Sequence, residues 1–399
     1  MDIKPRFTRP FTQQEPIPED GIAAAVEIMR SGRIHRYNTM GEEIAEAALL
    51  EEDFAAFTGA KYCLAVTSGG YAMGAALRAL EVQAGDKVLS NGFTLAPVPG
   101  AIAALGAEPV FVETTESLTI DLPDLQEKIA QSGAKVLLLS HMRGHICDMD
   151  ALMDICDRAS VQVVEDCAHT MGAEWAGKPS GRHGVIGCYS TQTYKHMNSG
   201  EGGFVTCDDP DLMARMIILS GSYMLYERHR AAPPPEAFEQ IRYLTPNVSG
   251  RMDNLRAAIL RPQLADLEAQ ISRWNTLYRS VETGLRNTPS LQVIERDPRE
   301  KIVGSSIQFL LPDWNGDDIR ALIAACAARG VELKWFGAPE PVAFTSRYDS
   351  WRYAKPQSLP RTDHILAGLI DMRLPLTFTE QDAALIAEII RDEVMAAKG

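Results

Sequence analysis

None of the seven cysteines, Cys63, Cys147, Cys156, Cys167, Cys188, Cys207 and Cys326, belongs to a CxxC pair, and their number is odd. That excludes a disulfide framework and argues against a zinc site. Buried, reduced thiols of a cytoplasmic protein are expected, and no metal. No run of residues is apolar for long enough to span a bilayer, so no membrane partner is expected. The opening MDIKPRFTRPFTQQEPIPED lacks the apolar segment of a secretory signal. Basic residues are also in deficit: 39 lysines and arginines stand against 53 acidic residues, a formal net charge of −14. Such a surface argues against nucleic acid as a partner, while leaving room for a small anionic ligand in a local pocket. Missing too are the Walker lysine loop and the dinucleotide glycine spacing, which sets ATP and NAD aside. There is no internal repeat and no low-complexity tract.

What is present is an ordinary globular composition, 46% hydrophobic and 23% charged, spread over 399 residues. That length exceeds one compact core and predicts two domains. After a Pro-punctuated arm, PEDGIAAAVEIMRSG predicts a helix closed by Gly32, and GEEIAEAALLEEDFAAFTG a second ending at Gly59. Short apolar runs (YCLAV, KVLS, PVFVE, KVLLLSH, VQVVED, IGCYS, GFVTC) then follow, the first five of them alternating with helical patterns. The pattern predicts an α/β fold with a mostly parallel, doubly wound sheet. YERHRAAPPPEAF predicts an exposed loop, and RMDNLRAAILRPQLADLEAQISRWNTLYRSVETGLRN one long connecting helix. LQVIE, SSIQFLL, VELKWF and a last helix predict a smaller C-terminal α/β domain, so the chain divides into residues 1–260 and 261–399.

Three places carry candidate chemistry. At the first strand-to-helix junction, Ser68, Gly69 and Gly70 would present free backbone N–H groups and a helix dipole to an anion, or simply form a tight turn. The strand VQVVED ends in Glu165 and Asp166, with His169 following; Asp166 would meet a ligand beyond the strand end, or cap a helix. STQTYKHMNSGEGG puts Lys195 five residues after Ser190, in glycine-rich loop chemistry where a reactive amine is unusual. A phosphate cradle, a carboxylate for a ring nitrogen and an amine able to form a Schiff base are the three anchors that pyridoxal phosphate requires.

On these motifs the sequence resembles the DegT/StrS-type sugar aminotransferases, a branch of the fold-type-I pyridoxal-phosphate enzymes. The resemblance covers nearly the whole chain and implies a seven-stranded-type sheet in a large cofactor-binding domain. It implies that SGGYAMGAAL binds the phosphate, with Gly70 where threonine is usual. Phe93 would stack on the ring, Asp166 would pair with the pyridinium, and His169 would lie near the ring hydroxyl. Ser190, Lys195 and GEGG match the lysine motif, making Lys195 and Asp166 the catalytic pair. TPNVSGRMDNL matches a segment that reaches the neighbouring subunit's cofactor; Arg251 fits, while Ser249 stands where asparagine is expected and Asn247 two residues early. A homodimer with shared sites is thereby implied.

The activity implied is ping-pong transamination: glutamate or glutamine converts pyridoxal 5′-phosphate, held on Lys195 as an internal aldimine, to pyridoxamine 5′-phosphate, which aminates a keto sugar or related ketone. In RSGRIHRYN, Arg36 and Tyr37 would bind an anionic or hydroxyl-rich acceptor; the alternative is a basic loop at the dimer interface. His196 is expected at the surface. KWFGAPEPVAFTSRYDSWRY is expected to wall the pocket. The competing readings are a sugar dehydratase using the same cofactor and a non-catalytic regulator that keeps the fold.

Overall fold

The protein is described by a computed structural model covering residues 5–343 and 347–398. Seven strands form the main sheet: β1 (Tyr62–Val66), β2 (Lys87–Asn91), β3 (Glu108–Val112), β4 (Val136–Ser140), β5 (Gln162–Asp166), β6 (Ile186–Ser190) and β7 (Gly203–Cys207). Their spatial order is β1-β7-β6-β5-β4-β2-β3. Only β7 runs against its neighbours in this sheet. Successive side chains of a strand point to opposite faces, and here both faces are covered. Leu89, Leu137, Leu139 and Val163 enter one apolar cluster, while Val88, Val136, Leu138 and Val164 enter the other. This is why the strands read as continuous apolar runs.

The carboxyl ends of β1, β4, β5 and β6 all open on one edge. Register fixes them: Ser140 lies opposite Asp166, Asp166 opposite Cys188, and Gly203 of β7 touches both Val66 and Ser190. A smaller, antiparallel sheet follows, built from β8 (Gln292–Val293), β9 (Ser306–Leu310), β10 (Lys334–Trp335) and β11 (Leu369–Arg373), in the order β8-β9-β11-β10. The arm joins this second core, where Phe7, Phe11 and Phe378 pack edge to face. No helix among the described residues is long and apolar enough to cross a membrane.

Three expectations are corrected. The connecting helix is two helices, Asn254–Ala265 and Leu267–Leu285, meeting at Asp266. Pro262 has no N–H to offer the preceding turn, and the first helix ends within a turn of it. The second N-terminal helix starts only at Glu46, because Glu43 is engaged outside it, by Arg33 and by the backbone N–H of Met40. YERHRAAPPPEAF is not an exposed loop: Tyr226, His229, Ala231 and Phe238 are buried, with Tyr226 stacked on Phe238 at 4.0 Å.

Candidate active site

A cavity of about 1290 Å³ opens at the carboxyl ends of the main strands and is closed on its other side by the small sheet. It collects Ser68, Gly69, Gly70, Asp166, His169, Ser190 and Lys195, so residues separated by more than a hundred positions share one space. Ser68 caps the helix Gly69–Ala79, its hydroxyl accepting the Tyr71 N–H at 3.0 Å. Gly69 has no room for a side chain: a Cβ there would sit 2.9 Å from Ser190 Cβ. At Gly70 the nearest such contact is Ser68 Oγ at 3.8 Å, leaving open space before the helix N-terminus. An anion can therefore approach the backbone N–H groups directly.

The two carboxylates at the end of β5 have opposite tasks. Glu165 points into the core and accepts N–H groups from Gly181, His183 and Gly184 at 2.9, 2.7 and 2.7 Å, and bonds His141 Nε2 at 2.9 Å. Burial opposes its charge, but the His141 contact and these donors hold its pKa below the usual value. Asp166 faces the cavity, accepting from Ser140 Oγ at 2.9 Å and from the Ala168 N–H at 3.1 Å. Those two bonds fix its plane and leave it able to accept from a ligand.

Lys195 Nζ lies 2.8 Å from His169 Nε2. The Arg143 backbone N–H donates to His169 Nδ1 at 3.3 Å, which puts the ring proton on Nε2. Burial, then Lys195 and Arg143, push His169 well below its usual pKa, so the ring is neutral. Lys195 is itself lowered to about 7, by desolvation first and then by Arg143 and Arg373, with Asp166 acting the other way. A neutral amine at that pH is a nucleophile and a proton carrier, unlike an ordinary surface lysine.

The profile of the DegT/DnrJ/EryC1/StrS aminotransferase family matches residues 16–391. The chain belongs to this family. It is similar to dTDP-3-amino-3,4,6-trideoxy-alpha-D-glucose transaminase of Streptomyces venezuelae, 28% identical over 93% of this chain and 91% of that one. It is also similar to L-glutamine:2-deoxy-scyllo-inosose aminotransferase of Streptomyces kanamyceticus, 32% identical over 66% of this chain and 61% of that one. The crystal structure of 3-amino-5-hydroxybenzoic acid synthase superposes with a TM-score of 0.82, at 25% identity, over 97% of this chain and 99% of that one. The protein is thus a pyridoxal-phosphate-dependent aminotransferase. The cavity suits that cofactor: a helix end cleared by two glycines for a phosphate, a cavity-facing carboxylate for a ring nitrogen, and a near-neutral lysine for an aldehyde.

Several site expectations change in this aminotransferase. Phe93 does not line the cavity. Asn91 ends β2, a Cβ at Gly92 would meet Leu359 at 2.6 Å, and Phe93 turns into an apolar cluster against Phe336, edge to face at 5.0 Å. Leu95, two residues on, lines the cavity instead. Arg36 and Tyr37 are no acceptor site within the protomer. Arg36 is 2% exposed and forms two 2.8 Å bonds to Glu51, while Tyr37 Oη bonds His229 Nε2 at 2.6 Å. A guanidinium already paired and dehydrated has no face left for a substrate. His196 is buried too, against Trp274 and 3.1 Å from Ser305 Oγ. Asn247 and Arg251 stay outside the cavity; Arg251 Nη1 donates to the Gly221 carbonyl at 2.7 Å.

From the aromatic segment, Lys334, Trp335 and parts of 338–343 do wall the cavity; residues 344–346 lie outside the described residues. Arg143, Asp371 and Arg373 also line it and were missed. Arg143 had a usable signal, a charged residue beside a glycine just past the end of β4. Arg373 had none, because nothing local in IDMRLP distinguishes a cavity-facing arginine from a surface one.

Proposed function

We propose that this aminotransferase moves the amino group of glutamine or glutamate onto a polyhydroxylated ketone, a keto sugar or cyclitol, through Lys195. The observation that carries the reading is the Lys195 amine, held near neutrality 2.8 Å from a neutral His169 in a cavity shared with Asp166, Ser68 and Ser190. The donor follows from L-glutamine in the name of one relative, and the acceptor class from the keto cyclitol 2-deoxy-scyllo-inosose in that same name and from the amino sugar in the name of the other.

Pyridoxal phosphate, when bound, supplies an aldehyde to carry the amino group and a ring to withdraw electrons. Ser68, Ser190 and the free N–H groups at Gly69 and Gly70 hold its phosphate end. Asp166, oriented by Ser140 and Ala168, offers an oxygen to a protonated ring nitrogen. His169 offers its Nε2 proton to an oxygen or to the amine beside it. Lys195 Nζ takes up and returns a proton as general base and acid, for which a pKa of about 7 is well matched.

A homodimer is supported by the surface that carries Asn247 and Arg251. Tyr223, Met224, Tyr243, Leu244 and Val248 expose apolar side chains there, Leu244 to 80%. Such residues bury against a second copy, which would bring Asn247 and Arg251 to the partner's cofactor. A cytoplasmic setting is supported by seven free, buried cysteines.

The test is the visible spectrum of the purified protein before and after glutamine or glutamate, alongside Lys195→Ala. A yellow, lysine-bound cofactor that bleaches with the donor and returns with a keto sugar or keto cyclitol is expected. A protein that binds no cofactor after reconstitution, or whose Lys195→Ala variant keeps the covalent band, overturns the reading.

A further inference from the structure

Behind the cavity, in and beside the small sheet, a line of buried polar side chains leads inward to Lys195. Its outer end is Arg296, paired with Glu300 at 2.8 Å. Arg296 Nη1 meets His145 Nδ1 at 2.5 Å, and His145 Nε2 meets Gln308 Oε1 at 2.8 Å. Gln308 Nε2 donates to Asp371 Oδ1 at 2.8 Å and to Ser306 Oγ at 2.9 Å. Asp371 Oδ2 then pairs with Arg143 Nη2 at 2.7 Å. His145, Gln308 and Asp371 are each no more than 3% exposed, and the register of β9 and β11 sets Gln308 opposite Asp371.

The donors in this line can point only one way. A guanidinium has no acceptor, so His145 Nδ1 accepts from Arg296. Burial, and then the Arg296 charge, hold His145 well below its usual pKa, so the neutral ring carries its one proton on Nε2 and gives it to Gln308 Oε1. The amide nitrogen of Gln308 is thereby turned towards Asp371, whose two oxygens serve Gln308 and Arg143. Lys334, directly across the sheet from Asp371, is the rival cation for that carboxylate. The bond from Gln308 fixes the carboxylate where it meets Arg143.

Arg143 reaches the reacting amine through His169. It sits in the turn after β4 in a left-handed conformation, φ 57°. Its backbone N–H donates to His169 Nδ1, and His169 Nε2 lies 2.8 Å from Lys195 Nζ. Lys195 is faced by Asp166 and His169 from the end of β5, by Arg143, and by Arg373 from β11, with His196 next to it in its own loop. Lys334 and the exposed Glu201 line the same cavity. Among these charges Arg143 does most to lower the Lys195 pKa. Gln308 itself does not line the cavity.

We propose that Gln308 and Asp371 are positioning residues for amino transfer: they hold the Arg143 guanidinium at the Lys195–His169 pair, where a fixed positive charge favours the uncharged amine. The proposal rests on the reading of Lys195 as the amine that carries the cofactor.

The experiment follows the protonation of Lys195 in two ways. In the full-length apoenzyme, acetylation of Lys195 by acetic anhydride is measured against pH by mass spectrometry. In the holoenzyme, the visible band of the Lys195-bound cofactor is titrated. Arg143→Met should raise both midpoints by about one pH unit. Gln308→Leu changes no charge, so a role confined to packing would leave the midpoints in place; a rise of about half that size or more is expected. Asp371→Asn removes a negative charge, which by itself would lower the lysine pKa. A rise is expected instead, because one amide oxygen cannot serve both Gln308 and Arg143. In Arg143→Met/Gln308→Leu the second change should add nothing to the first. Wild-type midpoints in Arg143→Met or Gln308→Leu, a fall in Asp371→Asn, or additive shifts in the double variant overturn the proposal. If Gln308→Leu does not fold, the sign of the shift in Asp371→Asn decides. A missing visible band would sink the functional reading, whereas an intact band with unmoved midpoints removes only the role of Gln308 and Asp371.

Discussion

The cavity has two walls that were built differently. The cofactor wall comes from backbone: strand ends in fixed register, a helix N-terminus, and Gly69, which has no space for a side chain. The small-sheet wall comes from long side chains, with Lys334, Asp371 and Arg373 on two adjoining antiparallel strands and Arg143 reaching across from the main sheet. Backbone positions change little when side chains are exchanged, whereas a wall of lysine and arginine can be rewritten residue by residue. On that contrast, reaction type would rest on the first wall and contacts with the substrates on the second.

The sharpest way to break that division is Lys195→Ala. It removes the covalent anchor and the proton carrier together, so kcat should fall by at least about 10⁴-fold. Binding of malonate, as a probe anion, to the Arg373 wall should change by less than about threefold, since the alanine leaves that wall standing. Turnover assays with calorimetry on the same variant check both halves. Weak malonate binding in Lys195→Ala would mean that the lysine also holds the small-sheet wall in place.

The same division explains how much could be read from the sequence. The alternating strands and helices, the SGGYAMGAAL junction, Asp166 and Lys195 are all local patterns whose chemistry follows from position at a strand end. The small-sheet wall is not local. Arg143 and Asp371 are 228 positions apart yet 2.7 Å distant, and no spacing rule connects them. The RYN segment misled for the opposite reason. An arginine and a tyrosine together look like a binding pair, but their partners, Glu51 and His229, lie elsewhere and close the group off from solvent. Phe93 misled by two positions, because the turn at Gly92 sends it to the apolar cluster and leaves Leu95 at the cavity.

Arg36 therefore makes a second test, of a region outside both walls. Arg36→Met would leave Glu51 buried without its main counter-charge and should cost about 3–5 kcal/mol of stability. The donor and acceptor KM of the folded fraction should stay within about twofold. Thermal or urea unfolding with KM measurements at low temperature checks this. In the wild type, burial pushes Glu51 up, but Arg36 and then His229 outweigh it and bring it to about 2. A depressed folded-state pKa stabilises fully above the unfolded value near 4.5, and that contribution is lost as pH falls from there towards 2. Arg36→Met should flatten this acid limb of the stability profile. A raised acceptor KM with unchanged stability would restore Arg36 to the substrate site.

The smallest effect expected is also the finest discrimination, between neighbouring glycines on the cofactor wall. In Gly69→Ala the new methyl would crowd Ser190 Cβ at 2.9 Å and the Tyr189 carbonyl at 3.4 Å, both on a central strand that cannot retreat. The helix start must shift, at about 1–3 kcal/mol, and the N–H groups aimed at the phosphate shift with it. In Gly70→Ala nothing but Ser68 Oγ, at 3.8 Å, is near, and alanine suits a helix better than glycine, so stability should hold or rise by a few tenths of a kcal/mol. Unfolding curves rank the two for stability, and reconstitution with pyridoxal phosphate ranks them for affinity. Equal losses of affinity at both positions would show that the phosphate, rather than Ser190, fills the space beside the helix end, whereas a loss confined to Gly69 would show that close backbone packing sets the cradle.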